Sequence, residues 1–337
     1  MTAATAEALT KTAALQVLQF DGVRVSLFEQ PLPPPSENEI RIRSEFTHVS
    51  IGTEIAYIDK FTPLKQPTGL GYSNVGVIEE LGANVRGFKA GQRVFSGLPH
   101  ASHGNVSANN AVAVPDGLSS DRATFAGLAQ VAYHVVERAS PKLLEPTAII
   151  GQGVVGSLIA QIARLCGAQP IIVVDTNPIR LETARKLGFQ TVDASREDSV
   201  ARVKELNGGK GVSLCIEAAT SARALSDAMK MLALRGRLVI SSTIFEPVPF
   251  RILEDFIERE LTVIGAHQPK CPIEPNVYYP WTQNENRLGS MKAMLDNRLN
   301  VDHLISHRIK PTEAPAIYER LRQKDRSIVG VVIDWRQ

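Results

Sequence analysis

The segment Gly151-Gln152-Gly153-Val154-Val155-Gly156 constrains this chain more than any other. It follows an apolar run, TAIIG, and opens a second with helical spacing, VVGSLIAQIARLC, which stops at Gly167. Strand, glycine turn and helix in that order form a cradle for a pyrophosphate. Gly151 permits the tight turn, Gly153 lets the backbone approach the phosphates, and Gly156 lets helix pack on strand. The helix N-terminus, where Val154 and Val155 lie, offers free N–H groups and partial positive charge. Asp175 stands at the end of the next apolar run, PIIVVD, about twenty residues further on. A carboxylate there accepts hydrogen bonds from the ribose hydroxyls of an adenosine and repels a 2′-phosphate, so the expected cofactor is NAD. Thr176 adjoins it, and Arg180, close by, is able to accept a phosphate instead.

The strand–helix rhythm continues from 146 to 267. Asn177 caps the helix PIRLETARKL, with Pro178 at its first position and Gly188 at its stop. GVSLCIEA, RLVISS and LTVIGA read as strands, with SARALSDAMKMLAL as a helix among them. Repeated units of this kind make an α/β fold, a doubly wound parallel sheet with helices on both faces. The residues that end these strands line the cofactor cleft: Glu217, Ala218, Ala219 and Thr220, then Ser241, Ser242 and Thr243 near the nicotinamide, and Gly265.

The chain has 337 residues, enough for a second domain. Residues 14–47 read as β structure, with LQVLQF and VRVSLF flanking Asp21-Gly22, a two-residue hairpin signal. IRIRSEF alternates as a half-buried strand does, and a helical pattern begins near 120, with Ser119 or Ser120 as its N-cap. Lys and Arg number 37 against 35 Asp and Glu, which gives no electrostatic reason to expect a nucleic acid or a membrane surface as partner. No apolar run approaches the ~18 residues that span a bilayer. Three scattered cysteines argue against a disulfide framework, and the N-terminus lacks the pattern of a secretory signal. The expectation is a cytoplasmic homodimer acting on a small molecule.

The β-rich first part, the Rossmann-type middle and the short return segment together resemble the medium-chain dehydrogenase/reductase superfamily, whose first domain is GroES-like. Ile51-Gly52-Thr53-Glu54 is similar to the family's CGTD, and Gly71-Tyr72-Ser73-Asn74-Val75-Gly76 to its GHExxG. The third motif is the glycine fingerprint with Asp175. The resemblance runs from about residue 14 to 335. It implies an oxidoreductase in which 1–145 and 268–337 form the GroES-like catalytic domain and 146–267 the Rossmann domain. Arg180 falls where the family has a basic residue touching the ribose, which favours NAD.

The departures from the family pattern bear on mechanism. Where the family's zinc-dependent members hold a catalytic metal, this chain has Ile51, Tyr72 and, at the third position, the neighbourhood of Gly127. Isoleucine cannot ligate zinc, and the N/S ligand set that zinc takes is missing. The region 95–114, which resembles the structural-zinc lobe, has no cysteine, and its pair His100 and His103 reads as a polar loop. A zinc-free member is therefore expected. Without a Lewis acid, a hydrogen-bond donor must meet the substrate oxygen. Tyr72 is the candidate, with Thr53 matching the hydroxyl that begins the family's proton relay and Glu54 orienting one of them. The alternative is that the Tyr72 ring only plugs the vacated metal site. His48 is a second candidate proton donor or a packing residue. The stretch 267–287, with Tyr279, Trp281 and Asn284, suits a polar ring such as a sugar or cyclitol, or a flat aromatic system, or else packs an interdomain or subunit contact. The leading expectation is an NAD-dependent alcohol dehydrogenase or ketone reductase. The rivals are a quinone or enoyl reductase and a weakly catalytic cofactor-binding protein.

Overall fold

A computed structural model describes residues 14–60, 67–277 and 281–336. The chain divides into two compact units, Met1–Gly127 with His307–Gln337, and Leu128–Ser306.

The second unit is built on six strands in the order Gln190–Asp193, Ile171–Asp175, Thr147–Ile150, Val212–Glu217, Leu232–Ile240, Thr262–Gly265. Every neighbouring pair is parallel. This is the doubly wound arrangement, in which the strand order reverses at Thr147–Ile150, immediately before the glycine fingerprint. The strands are buried runs of β-branched residues because helices cover such a sheet. Asn177 caps its helix as expected, its side chain accepting from Ile179 N. The edge strand Gln190–Asp193 was not legible, since it is short and half polar. The LAL of the expected helix SARALSDAMKMLAL joins the strand Leu232–Ile240 instead.

The unit boundaries lie outside those expected at 145 and 268. Segments flanking the sheet are tied to it by side chains. Arg237 Nη2 donates to the carbonyls of Ala139 and Ser140 and to Glu145. Gln161 exchanges two hydrogen bonds with the backbone of Asn300.

The first unit holds a three-stranded sheet, Val25–Pro31, Ala14–Phe20 and Thr68–Gly69, and a seven-stranded sheet centred on Glu39–Val49. The long central strand pairs antiparallel with Asn74–Leu81, His103–Ser107 and Val331–Asp334. The hairpin expected at Asp21-Gly22 is wider than two residues, because Phe20 pairs with Val25. Asp21 Oδ1 accepts from both Val23 N and Arg24 N, and so folds a four-residue loop around its own carboxylate. The helical pattern near 120 is two helices, Ser120–Ala123 and Ala126–Ala139. Ser119 is the N-cap by position, but its hydroxyl bonds Asp121 Oδ1 rather than the backbone.

Candidate active site

The second unit places the expected cofactor residues by register alone. Ile150 pairs with Val174 and Glu217, Glu217 with Ile240, and Ile240 with Gly265. The residues that follow, Gly151, Asp175, Ala218 and Ser241, therefore lie along one edge of the sheet. Gly151 has φ +93°, and a Cβ on it would stand 2.7 Å from Ala218 O. Gly153 is the N-cap of the helix Val154–Leu165 and has open space in front of it, the nearest atom being Arg180 Nη1 at 3.9 Å. A Cβ on Gly156 would run into the backbone of Gly151. Each glycine thus has its own steric reason, and Val154 and Val155 carry the free amides of the first turn.

Asp175 is nearly buried and already committed on both oxygens. Gln152 N donates to Oδ2 at 2.6 Å and Asn177 N to Oδ1 at 2.7 Å. These bonds fix the carboxylate between the glycine turn and the next helix while leaving lone pairs for other donors. Arg180 Nη1 lies 3.8 Å from Asp175 Oδ2, and Thr176 is exposed beside them. Glu217 is fully buried: Oε1 accepts from Ala219 N at 2.6 Å, and Ser242 donates its hydroxyl to Oε2. Burial pushes the Glu217 carboxyl up, with those hydrogen bonds opposing the shift. Ser241 donates to Glu217 O at 2.8 Å, and Thr243 and Gly265 are exposed at the ends of their segments.

In the first unit a polar cluster gathers around Glu54. The helix Ile51–Lys60 starts directly after the central strand, and Glu54 lies in its first turn, where a negative charge suits the helix dipole. Its side chain is nearly closed from solvent, and Oε1 accepts from Ser50 N at 2.7 Å. Oε2 takes the hydroxyl of Tyr318 and lies 3.2 Å from His100 Nε2. Ser50 Oγ is in turn 2.7 Å from the Tyr72 hydroxyl. Burial pushes the Tyr72 phenol up, opposed by hydrogen bonds from Ser50 and Thr53, while the Glu54 charge adds to the rise. Thr53 is exposed and Tyr72 half-buried, so this pair reaches solvent from an otherwise closed cluster.

Tyr72, Thr53 and Glu54 are thus brought together as the sequence suggested, but Glu54 touches neither hydroxyl directly. It holds the backbone of Ser50, which carries the contact to Tyr72. His48 is set apart. It is fully buried with its ring centroid 4.3 Å from that of Phe125, and neither ring nitrogen has a partner. Burial, with a smaller effect of His100, pushes it down to about 3. An imidazole in that state is neutral at pH 7 and keeps its one N–H, so it is a weak acid there. Ser50, His100 and Tyr318 were missed. The sequence offered only His100 as half of a polar pair, whereas it is buried against Glu54.

Trp281 is exposed, and Asn284 accepts from Arg287 Nη1 at 2.9 Å on the helix Gln283–Leu295. Tyr279 lies outside the described residues. Among the described residues no group of three or more His, Cys, Asp or Glu is placed to hold a metal ion, and no helix is long and apolar enough to cross a membrane.

The architecture is that of a two-domain dehydrogenase, a β-rich unit joined to a dinucleotide-type sheet. Residues 36–139 match the alcohol dehydrogenase GroES-like domain, and residues 154–280 match the family described as zinc-binding dehydrogenase. The chain belongs to the medium-chain dehydrogenase/reductase superfamily and is an oxidoreductase of that type. It is 26% identical to an alcohol dehydrogenase of Cupriavidus necator, over 92% of this chain and 95% of that one. It is 27% identical to the L-threonine 3-dehydrogenase of Bacillus velezensis, over 79% and 84%. The fold superposes on 2R,3R-butanediol dehydrogenase from Bacillus subtilis with a TM-score of 0.82 at 19% identity, covering 95% of this chain and 99% of that one.

Proposed function

We propose that this chain is a zinc-independent, NAD-dependent alcohol dehydrogenase or ketone reductase that moves a hydride between nicotinamide and a secondary alcohol or ketone. The observation that carries the reading is the Tyr72 hydroxyl, bound at 2.7 Å to Ser50 Oγ at the position where the family resemblance puts a histidine ligand. That contact, with Thr53 exposed beside it, holds the hydroxyl at the mouth of the cluster, where a substrate oxygen would meet it.

A catalytic zinc does not fit these residues. Ile51 offers no lone pair and packs against an apolar cluster, and Gly127 has no side chain. The Tyr72 phenol is pushed up, away from the phenolate that would bind a metal. This chain itself matches a family described as zinc-binding dehydrogenase over residues 154–280, so the zinc-free reading rests on its own residues at Ile51, Tyr72 and Gly127.

The dinucleotide does fit. The helix N-terminus after Gly153 would face its pyrophosphate, Asp175 its adenosine ribose, and Ala218, Ser241 and Ser242 its nicotinamide half. When bound, the nicotinamide supplies or takes the hydride. In the reducing direction Tyr72 donates its proton to the substrate oxygen, and Thr53 passes one back from solvent. Trp281, Asn284 and Tyr279 would receive a polar ring, sugar- or cyclitol-like. The second reading, an NADPH-dependent quinone or enoyl reductase, is favoured by one observation, the unpartnered Arg180 Nε beside Asp175. The assembly is read as a homodimer in the cytoplasm, and the open edge strand Thr262–Gly265, with Val263 exposed, is the surface to test by solution mass.

The deciding experiment incubates the protein with NAD and sorbitol, myo-inositol, L-threonine or 2R,3R-butanediol, then with NADH or NADPH and benzoquinone, following nicotinamide absorbance. Reduction of NAD by an alcohol is the expected result. Turnover confined to NADPH and quinone would replace this reading with its rival. Silence in every arm would favour the weakly catalytic cofactor-binding protein.

A further inference from the structure

We propose that Ser50 is a positioning residue for proton transfer: its hydroxyl orients that of Tyr72 and donates to the Tyr72 oxygen as that oxygen gives up its proton. The inference rests on the donor role proposed for Tyr72. Ser50 is 4% exposed, so its hydroxyl has little water to turn to and its 2.7 Å contact with Tyr72 is the partner it keeps.

The backbone of Ser50 is pinned as well. Its N–H donates to Glu54 Oε1, and Glu54 Oε2 is held by Tyr318 and His100. His100 in turn lies flat against Gly71, where a Cβ would stand 2.6 Å from three ring atoms. Gly71 immediately precedes Tyr72. The contacts therefore close a circuit from Tyr72 through Ser50, Glu54 and His100 back to the Tyr72 backbone. Such a circuit fixes both ends of the Ser50–Tyr72 bond, which is what a preorganised donor requires.

The chemistry follows from the rotor freedom of a hydroxyl. In the resting pair either oxygen can donate. With a ketone bound, the Tyr72 proton must point at the substrate oxygen, so Ser50 turns its own proton toward Tyr72. A bound reduced nicotinamide would supply the hydride to the carbonyl carbon as its own C–H bond broke; the π pair would move to oxygen, and the Tyr72 proton would bond to that oxygen. The products are the alcohol, oxidised nicotinamide and a Tyr72 phenolate. Ser50 donates to that phenolate, and the exposed Thr53 relays a replacement proton from solvent. No net proton passes through Ser50.

The test replaces Tyr72 with 3,5-difluorotyrosine, whose phenol titrates where the protein stays folded, and follows the ring by fluorine NMR. Ser50→Ala should raise the titration midpoint by about one pH unit or more, because the phenolate loses a donor. Ser50→Thr, which keeps a hydroxyl, should restore it. Ser50→Cys, a weaker donor of similar size, should fall between and serves if Ser50→Ala does not fold. A midpoint unmoved in the alanine or cysteine variant overturns the proposal. In the natural chain, with whichever alcohol of the panel turns over, Ser50→Ala should lower kcat about tenfold with cofactor KM unchanged, and Ser50→Thr should recover it. If Tyr72→Phe retains full turnover, the proposed function fails whatever the NMR shows. If Tyr72→Phe collapses while Ser50→Ala changes neither midpoint nor kcat, only the role of Ser50 fails.

Discussion

In the second unit the candidate residues sit at the ends of neighbouring parallel strands, and backbone register alone lines up Ile150, Glu217, Ile240 and Gly265. In the first unit the cluster draws Ser50 from a strand end, Glu54 from a helix, Tyr72 and His100 from loops, and Tyr318 from a helix 264 residues beyond Glu54. One candidate site is laid out by main chain and glycines, with the Asp175 and Glu217 carboxylates holding its amides; the other is assembled almost wholly from side chains and their hydrogen bonds. The first kind tolerates many side-chain changes but few added atoms. The second kind should tolerate added atoms where a rotor can move but lose function with a single hydroxyl.

The largest effect should come from adding one methyl to the backbone-made site. Gly156→Ala places a Cβ against the Gly151 carbonyl, with the carbonyl carbon only 2.8 Å away. Neither atom can yield without opening the turn. Dinucleotide binding, read by NADH fluorescence, should fall at least a hundredfold, with a stability loss of about 2–4 kcal/mol in urea. The matched control in the first unit is Gly127→Ala, whose Cβ meets the rotatable Ser73 hydroxyl. A milder loss there sharpens the comparison, and an equal loss breaks it.

Next is the side-chain-made site. Tyr72→Phe keeps the ring and removes the hydroxyl, so kcat should fall about a hundredfold while NADH affinity holds. Near-normal turnover would mean that the ring is only a plug. Asp175→Ala should reduce an NAD preference of roughly tenfold toward parity, measured as the ratio of dissociation constants for NAD and NADP. Equal affinity of the unaltered chain for both would give Arg180 control of the choice.

The smallest effect at neutral pH separates two histidines, one in each unit. His48, whose ring nitrogens have no hydrogen-bond partner, is pushed down from 6.5 to about 3, mainly by burial. Its folded form stays neutral while the unfolded chain takes a proton, so its contribution is whole above pH 6.5 and is lost as pH falls toward 3. The slope is at most about 1.4 kcal/mol per pH unit. His303, held by Ser157 and Asn300, is pushed down to about 4 and should act over the narrower window. Denaturation of His48→Leu between pH 7 and pH 4 should show a flatter decline than the unaltered chain. An unchanged slope would remove His48 from the acid response.

This contrast also explains what the sequence disclosed. The parallel sheet, its glycine turn and Asp175 were legible because each glycine has a local steric cause and the strands are plain apolar runs. Thr53, Glu54 and Tyr72 were located differently, through the resemblance of two short motifs to those of the family. Ser50, His100 and Tyr318 were not legible, because what joins them is a carboxylate shared across long separations, and nothing in their neighbours announces it. The Asp21 loop misled for a related reason: a side chain capping two amides outweighed the turn preference of the dipeptide.

The claim on which the rest depends is that hydroxyls do here what a metal does elsewhere in the family. Protein purified without chelators and measured by elemental mass spectrometry should contain well under one zinc per chain, and a strong chelator should leave turnover of the responsive alcohol unchanged. One zinc per chain, with activity lost on chelation and restored by zinc, would contradict it.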